Sequence, residues 1–249
     1  MKEKRIDAIL QILEKNNFVT GNELSKELNV AESTVRRDLQ NMENMGLLTR
    51  IHGGAVKKKN GIISEISYLQ RKEINLQLKI QIAKKAVSLI SDNDVFFLGP
   101  GTTSEIIMKY LKTKNNIIIT NSFNIFSKYS TGGGDKKLVI TPGIMRPETG
   151  AVVGTFTNDF LGKLHVDIAF SGANCLNKGQ VMSSSEDEGT AQATILNNAK
   201  KKYILTDHSK FDIKSFFTFF SLKNLDAIIT DNEINNIVRK KYEKYCNII

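Results

Sequence analysis

The sequence predicts an α/β protein of two parts: a small N-terminal unit of three helices closed by a hairpin, and a larger domain in which strands alternate with helices. Three observations carry that expectation. Apolar residues recur at helical spacing as far as Met42 and then alternate about Gly53-Gly54. Beyond Ser91, short β-rich runs alternate with helical stretches, and between the two patterns lies the basic, glycine-containing Lys57-Lys58-Lys59-Asn60-Gly61. The boundaries read as 1–56 for the small unit, 57–73 for a linker and 74–249 for the larger domain. With 249 residues, 41% of them hydrophobic, the chain can bury a core in each part.

In the small unit, Ile6, Ile9, Leu10, Ile12 and Leu13 form the apolar stripe of a first helix ending near Asn16-Asn17. Thr20 and Glu23 make a T-x-x-E capping box that opens a short second helix through Leu24 and Leu28. A third helix follows the Asn29-Val30 turn. It buries Val35, Leu39 and Met42 and turns Ser33, Thr34, Arg36 and Arg37 outward. Such a face suits a recognition helix, because a major groove admits one helix whose arginines and hydroxyls reach guanine edges and phosphates; a solvated basic face is the alternative. The run from Gly46 to Val56 then reads as a wing hairpin, with Arg50, His52, Gly53 and Gly54 as its candidate DNA contacts. Three helices and a wing make a winged helix-turn-helix, whose partner is double-stranded DNA.

The larger domain opens with Ile74, Leu78, Ile82, Ala86 and Ile90, an amphipathic helix. Val95–Leu98, 117–119, 138–141, 166–170, 203–206 and 227–230 then read as strands of a largely parallel sheet. Ligands of open sheets sit beyond the carboxyl ends of the strands, so the loops there are the candidate site. Gly99, Gly101, Thr102, Thr103 and Ser104 form a strand-to-helix turn able to cradle a phosphate with amides and hydroxyls, although it lacks the Gly-Lys-Ser/Thr of a P-loop. Asn121, Ser122, Gly143 and Arg146 follow the next two strands, and Arg146 suits either a phosphate or a carboxylate. Gly172, Asn174, Lys178, Glu186, Asp207 and Lys210 complete the set. Each could instead cap a helix or pair with a neighbour, and the acidic cluster 186–188 suits a helix start.

A net charge of +9 favours a polyanionic partner, but it does not locate the DNA site. Residues 2–59 hold eleven basic and eight acidic side chains, a balance of +3, so most of the excess lies elsewhere. Cys175 and Cys246 show neither disulfide nor zinc spacing and read as small apolar residues. No run approaches the roughly 18 apolar residues of a membrane span. These points place the chain in the reducing cytosol, away from membranes and without a metal or cofactor.

The segment from Asn29 to Leu39, followed by Arg50-Ile51-His52-Gly53-Gly54-Ala55, resembles the signature of the DeoR family of bacterial regulators. The Gly-Thr-Thr loop at 101–103, Thr120-Asn121, Gly172-Ala173 and Asp207-x-x-Lys210 extend the resemblance through the larger domain. It implies an effector domain similar in fold to ribose-5-phosphate isomerase and glucosamine-6-phosphate deaminase, a phosphorylated sugar as ligand, and a homodimer or homotetramer on operator DNA. Two departures stand out. Ala31 replaces the usual capping serine, a loss worth about 1 kcal/mol that Ser33 or water would partly offset. Gly99-Pro100 replaces the usual Asp-Ser and, with 177–182 and Asp207-His208-Ser209-Lys210, is similar to the lactose phosphotransferase-system branch, which implies tagatose 6-phosphate as inducer. The competing expectation is an active sugar-phosphate isomerase or deaminase carrying a DNA-binding unit; Asp, Glu, Lys and His are present, yet no spacing among them fixes a catalytic geometry.

Overall fold

The computed structural model describes residues 2–16, 18–45, 47–51, 53–59, 62–63, 68–131 and 135–249, and it divides into compact units at Asn75/Leu76. The small unit opens with α1 (Lys2–Asn16), β1 (Phe18–Thr20), α2 (Gly21–Glu27) and α3 (Glu32–Asn44). It continues with β2 (Leu48–Ile51), β3 (Gly54–Lys59), β4 (Ile62–Ile63) and α4 (Tyr68–Glu73). The stretch expected as a linker thus holds the end of β3, β4 and α4. The three-helix pattern closes on one core: Ile9 and Leu13 of α1, Leu24 of α2 and Val35, Leu39 and Met42 of α3 meet Leu48 and Ala55. The Thr20 capping box forms as expected, with the Glu23 amide donating to the Thr20 hydroxyl at 3.0 Å and the Thr20 amide to the Glu23 carboxylate at 2.7 Å. The wing gains a strand that alternation did not reveal: β1 pairs with β3, and β3 with β2, all antiparallel.

The larger unit begins with α5 (Leu76–Val87), shorter at both ends than the apolar repeat suggested. It continues with β5 (Val95–Leu98), α6 (Thr102–Tyr110), β6 (Ile117–Thr120), α7 (Phe123–Tyr129) and β7 (Lys137–Ile140). A small antiparallel ribbon of β8 (Ile144–Met145) and β9 (Val152–Val153) leads into α8 (Thr155–Gly162) and β10 (Val166–Gly172). Then come β11 (Cys175–Asn177), β12 (Gln180–Ser183), α9 (Glu186–Asn197), β13 (Ala199–Leu205), β14 (Phe217–Ser221), β15 (Ala227–Ile229), α10 (Asn236–Tyr242) and β16 (Asn247–Ile248).

All six strands expected from the sequence lie in one parallel sheet of order β16-β15-β13-β10-β5-β6-β7. Both faces are covered, and the period of two assigns them. Phe96, Leu98, Ile118, Ile168, Phe170, Tyr203, Leu205, Ala227 and Ile229 pack with residues of α5, α6 and α7. Their alternates Phe97, Ile119, Ala169, Ile204 and Ile228 pack with α8, α9, α10 and the antiparallel sheet β11-β12-β14. The second face therefore carries a sheet that a reading for crossover helices could not anticipate.

Candidate functional site

On α3, Ser33, Arg36, Arg37, Gln40 and Asn44 are exposed and Thr34 is half-buried, one outward stripe at helical spacing. Neither Arg36 nor Arg37 makes an ion pair among the described residues. Two other arginines are engaged. Arg5 of α1 donates to the buried Asp38 at 2.8 Å, which locks α1 onto α3 and holds the guanidinium charged above its usual range through that hydrogen bond. Arg50 donates through its side chain to Gln40 and through its amide to Glu43 at 2.8 Å, so the wing is tied to the recognition helix. Gln40, absent from the sequence reading, is thus part of this face; its position seven residues after Ser33 was the available signal. Ala31 caps nothing with its side chain; its carbonyl accepts from the Thr34 amide at 2.9 Å.

The wing glycines have reasons of their own. Gly53 adopts φ +88° and its carbonyl accepts from Gly21 at 2.7 Å. Gly54 is buried: a Cβ there would stand 2.1 Å from the Val19 carbonyl oxygen, so it spaces β3 against β1. His52 lies outside the described residues.

In the larger unit the sheet order reverses between β5 and β10, each starting a run in the opposite direction, and ligands of open sheets sit at the carboxyl edge of such a switch point. The loops that flank it are Gly99–Ser104 and 172–174. They adjoin directly: the Gly99 amide donates to Phe170 at 2.9 Å, and Gly172 lies under the Pro100 carbonyl. Gly101, at φ +152°, precedes α6 with no side-chain cap, which leaves the amides of Thr102, Thr103 and Ser104 open at the helix start.

The strand ends carry a feature that the motifs did not show. Backbone ladder bonds continue one residue past the strands, at Gly99, Thr141, Thr206 and Thr230. Parity therefore puts Thr230, Thr206, Ser171, Gly99, Asn121 and Thr141 on the α9 face, one from each of six neighbouring strands, in a row across the edge. In this row the hydroxyls of Thr141, Thr206 and Thr230 and the amide oxygen of Asn121 are buried without a hydrogen-bond partner among the described residues. Buried polar atoms are normally paired, and four orphans along one edge fit a ligand rich in hydroxyls. The signal available in sequence was the repeated threonine closing an apolar run. Asn121 also donates to Val152 at 3.0 Å, and Ser122 caps α7 through Ile125 at 3.3 Å.

The other expected residues divide. Asn174 accepts from Ser184 at 3.4 Å beside this edge. Asp207 accepts from Ser209 at 3.0 Å and fixes the turn that carries Lys210, a half-buried cation with no ion pair among the described residues. Lys210 lies near Cys175, whose thiol burial nevertheless pushes up to about 11, in keeping with a small apolar role. Arg146 pairs with Glu188 of α9, which also accepts from the Thr149 hydroxyl. Three further expected residues have surroundings of their own. Gly143 is a packing glycine, since a Cβ would stand 2.2 Å from Thr157 Oγ1 and 2.6 Å from the Val153 carbonyl. Lys178, at φ +45°, is exposed at the β11–β12 turn, the far end of that hairpin from Asn174. Glu186 points to solvent; the acid of that cluster that turns inward is Glu188. Among the described residues no group of three or more His, Cys, Asp or Glu could hold a metal, and no helix is long and apolar enough to cross a membrane.

The small unit matches the DeoR-like helix-turn-helix domain over residues 5–60, and the larger matches the DeoR C terminal sensor domain over residues 74–232. The chain is 38% identical over 233 residues to the lactose phosphotransferase system repressor of Staphylococcus aureus, covering 93% of each. It is 34% identical over 249 residues to that of Streptococcus mutans, covering 100% of this chain and 99% of the relative. A solved ribose 5-phosphate isomerase A from Methanocaldococcus jannaschii is similar over 55% of each chain, at 25% identity and a TM-score of 0.38. A helix-turn-helix unit and a separate α/β sensor domain define a DNA-binding transcriptional regulator. The chain belongs to the DeoR family.

Proposed function

We propose that this regulator is a repressor of a sugar-utilisation operon, and that a phosphorylated sugar, tagatose 6-phosphate first among candidates, binds the sensor domain and lowers its affinity for operator DNA. The observation that carries the reading is the row of buried, unpartnered polar atoms at the strand ends, next to the open amides of Thr102, Thr103 and Ser104. A polyhydroxylated ester satisfies the row, and the amides of the helix start meet its oxygens. The names of the relatives support the lactose connection. Arg36 and Arg37, with Ser33 and Thr34, read base edges and phosphates. The protein works as a homodimer or homotetramer, because a helix-turn-helix reads paired half-sites, and the exposed Ile144, Met145 and Phe156 supply apolar surface for assembly.

A thermal-shift screen of the intact protein against sugar phosphates and the matching free sugars tests this. Ligand at 100 times its dissociation constant adds about 2.7 kcal/mol. A shift from one phosphate ester, absent with its free sugar, is the expected result; no shift from any member would remove the sensor reading and leave the DNA-binding one standing.

A further inference from the structure

We propose that Glu188 occupies the place of the effector's anionic group on Arg146, and that a phosphate monoester binds by exchanging with this carboxylate. The inference rests on the sensor reading above and adds the regulation of that site.

Arg146 follows the strand β8, whose partner β9 is fixed to the β6 end of the polar row: the Val152 amide donates to the Asn121 carbonyl at 2.7 Å. The Arg146 guanidinium and the Thr149 hydroxyl both donate to Oε1 of Glu188. The carboxylate side chain is 7% exposed and the arginine 20%. A second carboxylate, Glu148, lies 4.0 Å from the same guanidinium. One half-buried arginine at the edge of the candidate site is thus neutralised from within the protein.

A phosphate monoester carries about −1.5 to −2 charges at neutral pH and three acceptor oxygens, against one charge on Glu188. It is the stronger partner for a guanidinium once it reaches it. The exchange has a built-in consequence. Glu188 sits in the first turn of α9, its amide held by Ser185 at 3.4 Å, and Gln192 of the same helix meets Ser171 of the polar row at 2.6 Å. Release of Glu188 therefore acts on the start of the helix that covers the row, so the ligand biases a structural element rather than merely filling a hole.

Isothermal titration of the full chain with inorganic phosphate and with tagatose 6-phosphate tests the exchange. Glu188→Gln keeps the acceptor and removes the competing charge; it should bind phosphate about tenfold more tightly, equivalent to about 1.4 kcal/mol. Arg146→Gln should bind at least tenfold more weakly, and the double variant should be as weak as Arg146→Gln alone, because the gain acts through the arginine. Thr149→Val, which loosens Glu188 while keeping both charges, should show a smaller gain and decides the matter if Glu188→Gln does not fold. Unchanged or weaker phosphate binding in Glu188→Gln, or wild-type binding in Arg146→Gln, would overturn the proposal. A wild-type protein that binds no sugar phosphate would instead overturn the sensor reading itself.

Discussion

On α3, the residues that face outward come from a single helical period: Ser33, Arg36, Arg37 and Gln40 are exposed because Val35, Leu39 and Met42 are buried. At the sheet edge of the sensor domain, every polar residue of the row comes from a different strand and is buried. The first surface is local and solvated, so changing its outward residues should alter recognition with little effect on stability. The second is non-local and desolvated, so its residues trade stability against binding. Buried polar groups left for a ligand cost the unliganded protein something.

The sharpest break in that comparison lies within α3 itself. Leu39→Ala should destabilise the small unit by about 2–5 kcal/mol, measured by denaturant unfolding, because it opens a cavity among Ile9, Leu24 and Met42. Arg36→Ala, three residues away, should change stability by less than about 0.5 kcal/mol. It should nonetheless weaken binding to a duplex recovered by in vitro selection by roughly 1–3 kcal/mol, read by fluorescence anisotropy. Equal stability losses in the two variants would mean that the face is not the free surface it is taken to be.

A smaller effect sharpens the other side. Thr206→Val replaces a buried hydroxyl without a described partner by a methyl of similar shape. The unliganded protein should gain up to about 1 kcal/mol of stability, while sugar-phosphate binding weakens. Loss of stability in this variant would show that the hydroxyl already has a partner and is not held for a ligand.

The smallest effect concerns the opposite end of the sheet. Asp167 accepts from Lys200 at 2.7 Å and from the Val95 amide at 2.9 Å, and these bonds hold its carboxyl below the usual range. A folded-state pKa lower than the unfolded one means that this contribution is present above about pH 4 and is lost as pH falls through the lower folded value. Asp167→Asn should therefore flatten the acid limb of a stability–pH curve while leaving sugar-phosphate binding at pH 7 unchanged.

Much of this molecule was legible before any coordinates. Helix period, the Thr20–Glu23 box and the Gly-Gly turn specified the small unit, and apolar runs between helical stretches specified the six strands of the parallel sheet. Less was legible about which residues share a site. Glu186, Asp187 and Glu188 look alike in sequence, and only the packing of α9 turns Glu188 inward onto Arg146. Gly54 and Gly143 resemble ligand-cradling glycines until their neighbours show that a Cβ would strike backbone. Lys178 lies close in sequence to Asn174, but the β11–β12 hairpin carries it away.

The sequence by itself determined the two-part architecture, the exposed face of α3 and the family, because each depends on periodicity or on motifs read within a short span of chain. Tertiary structure alone decided the polar row, the Arg146–Glu188 pair and the spacing role of Gly54 and Gly143. Strand order, sheet parity and helix placement are long-range outcomes of burying two apolar faces, and no local pattern states which strand ends will become neighbours.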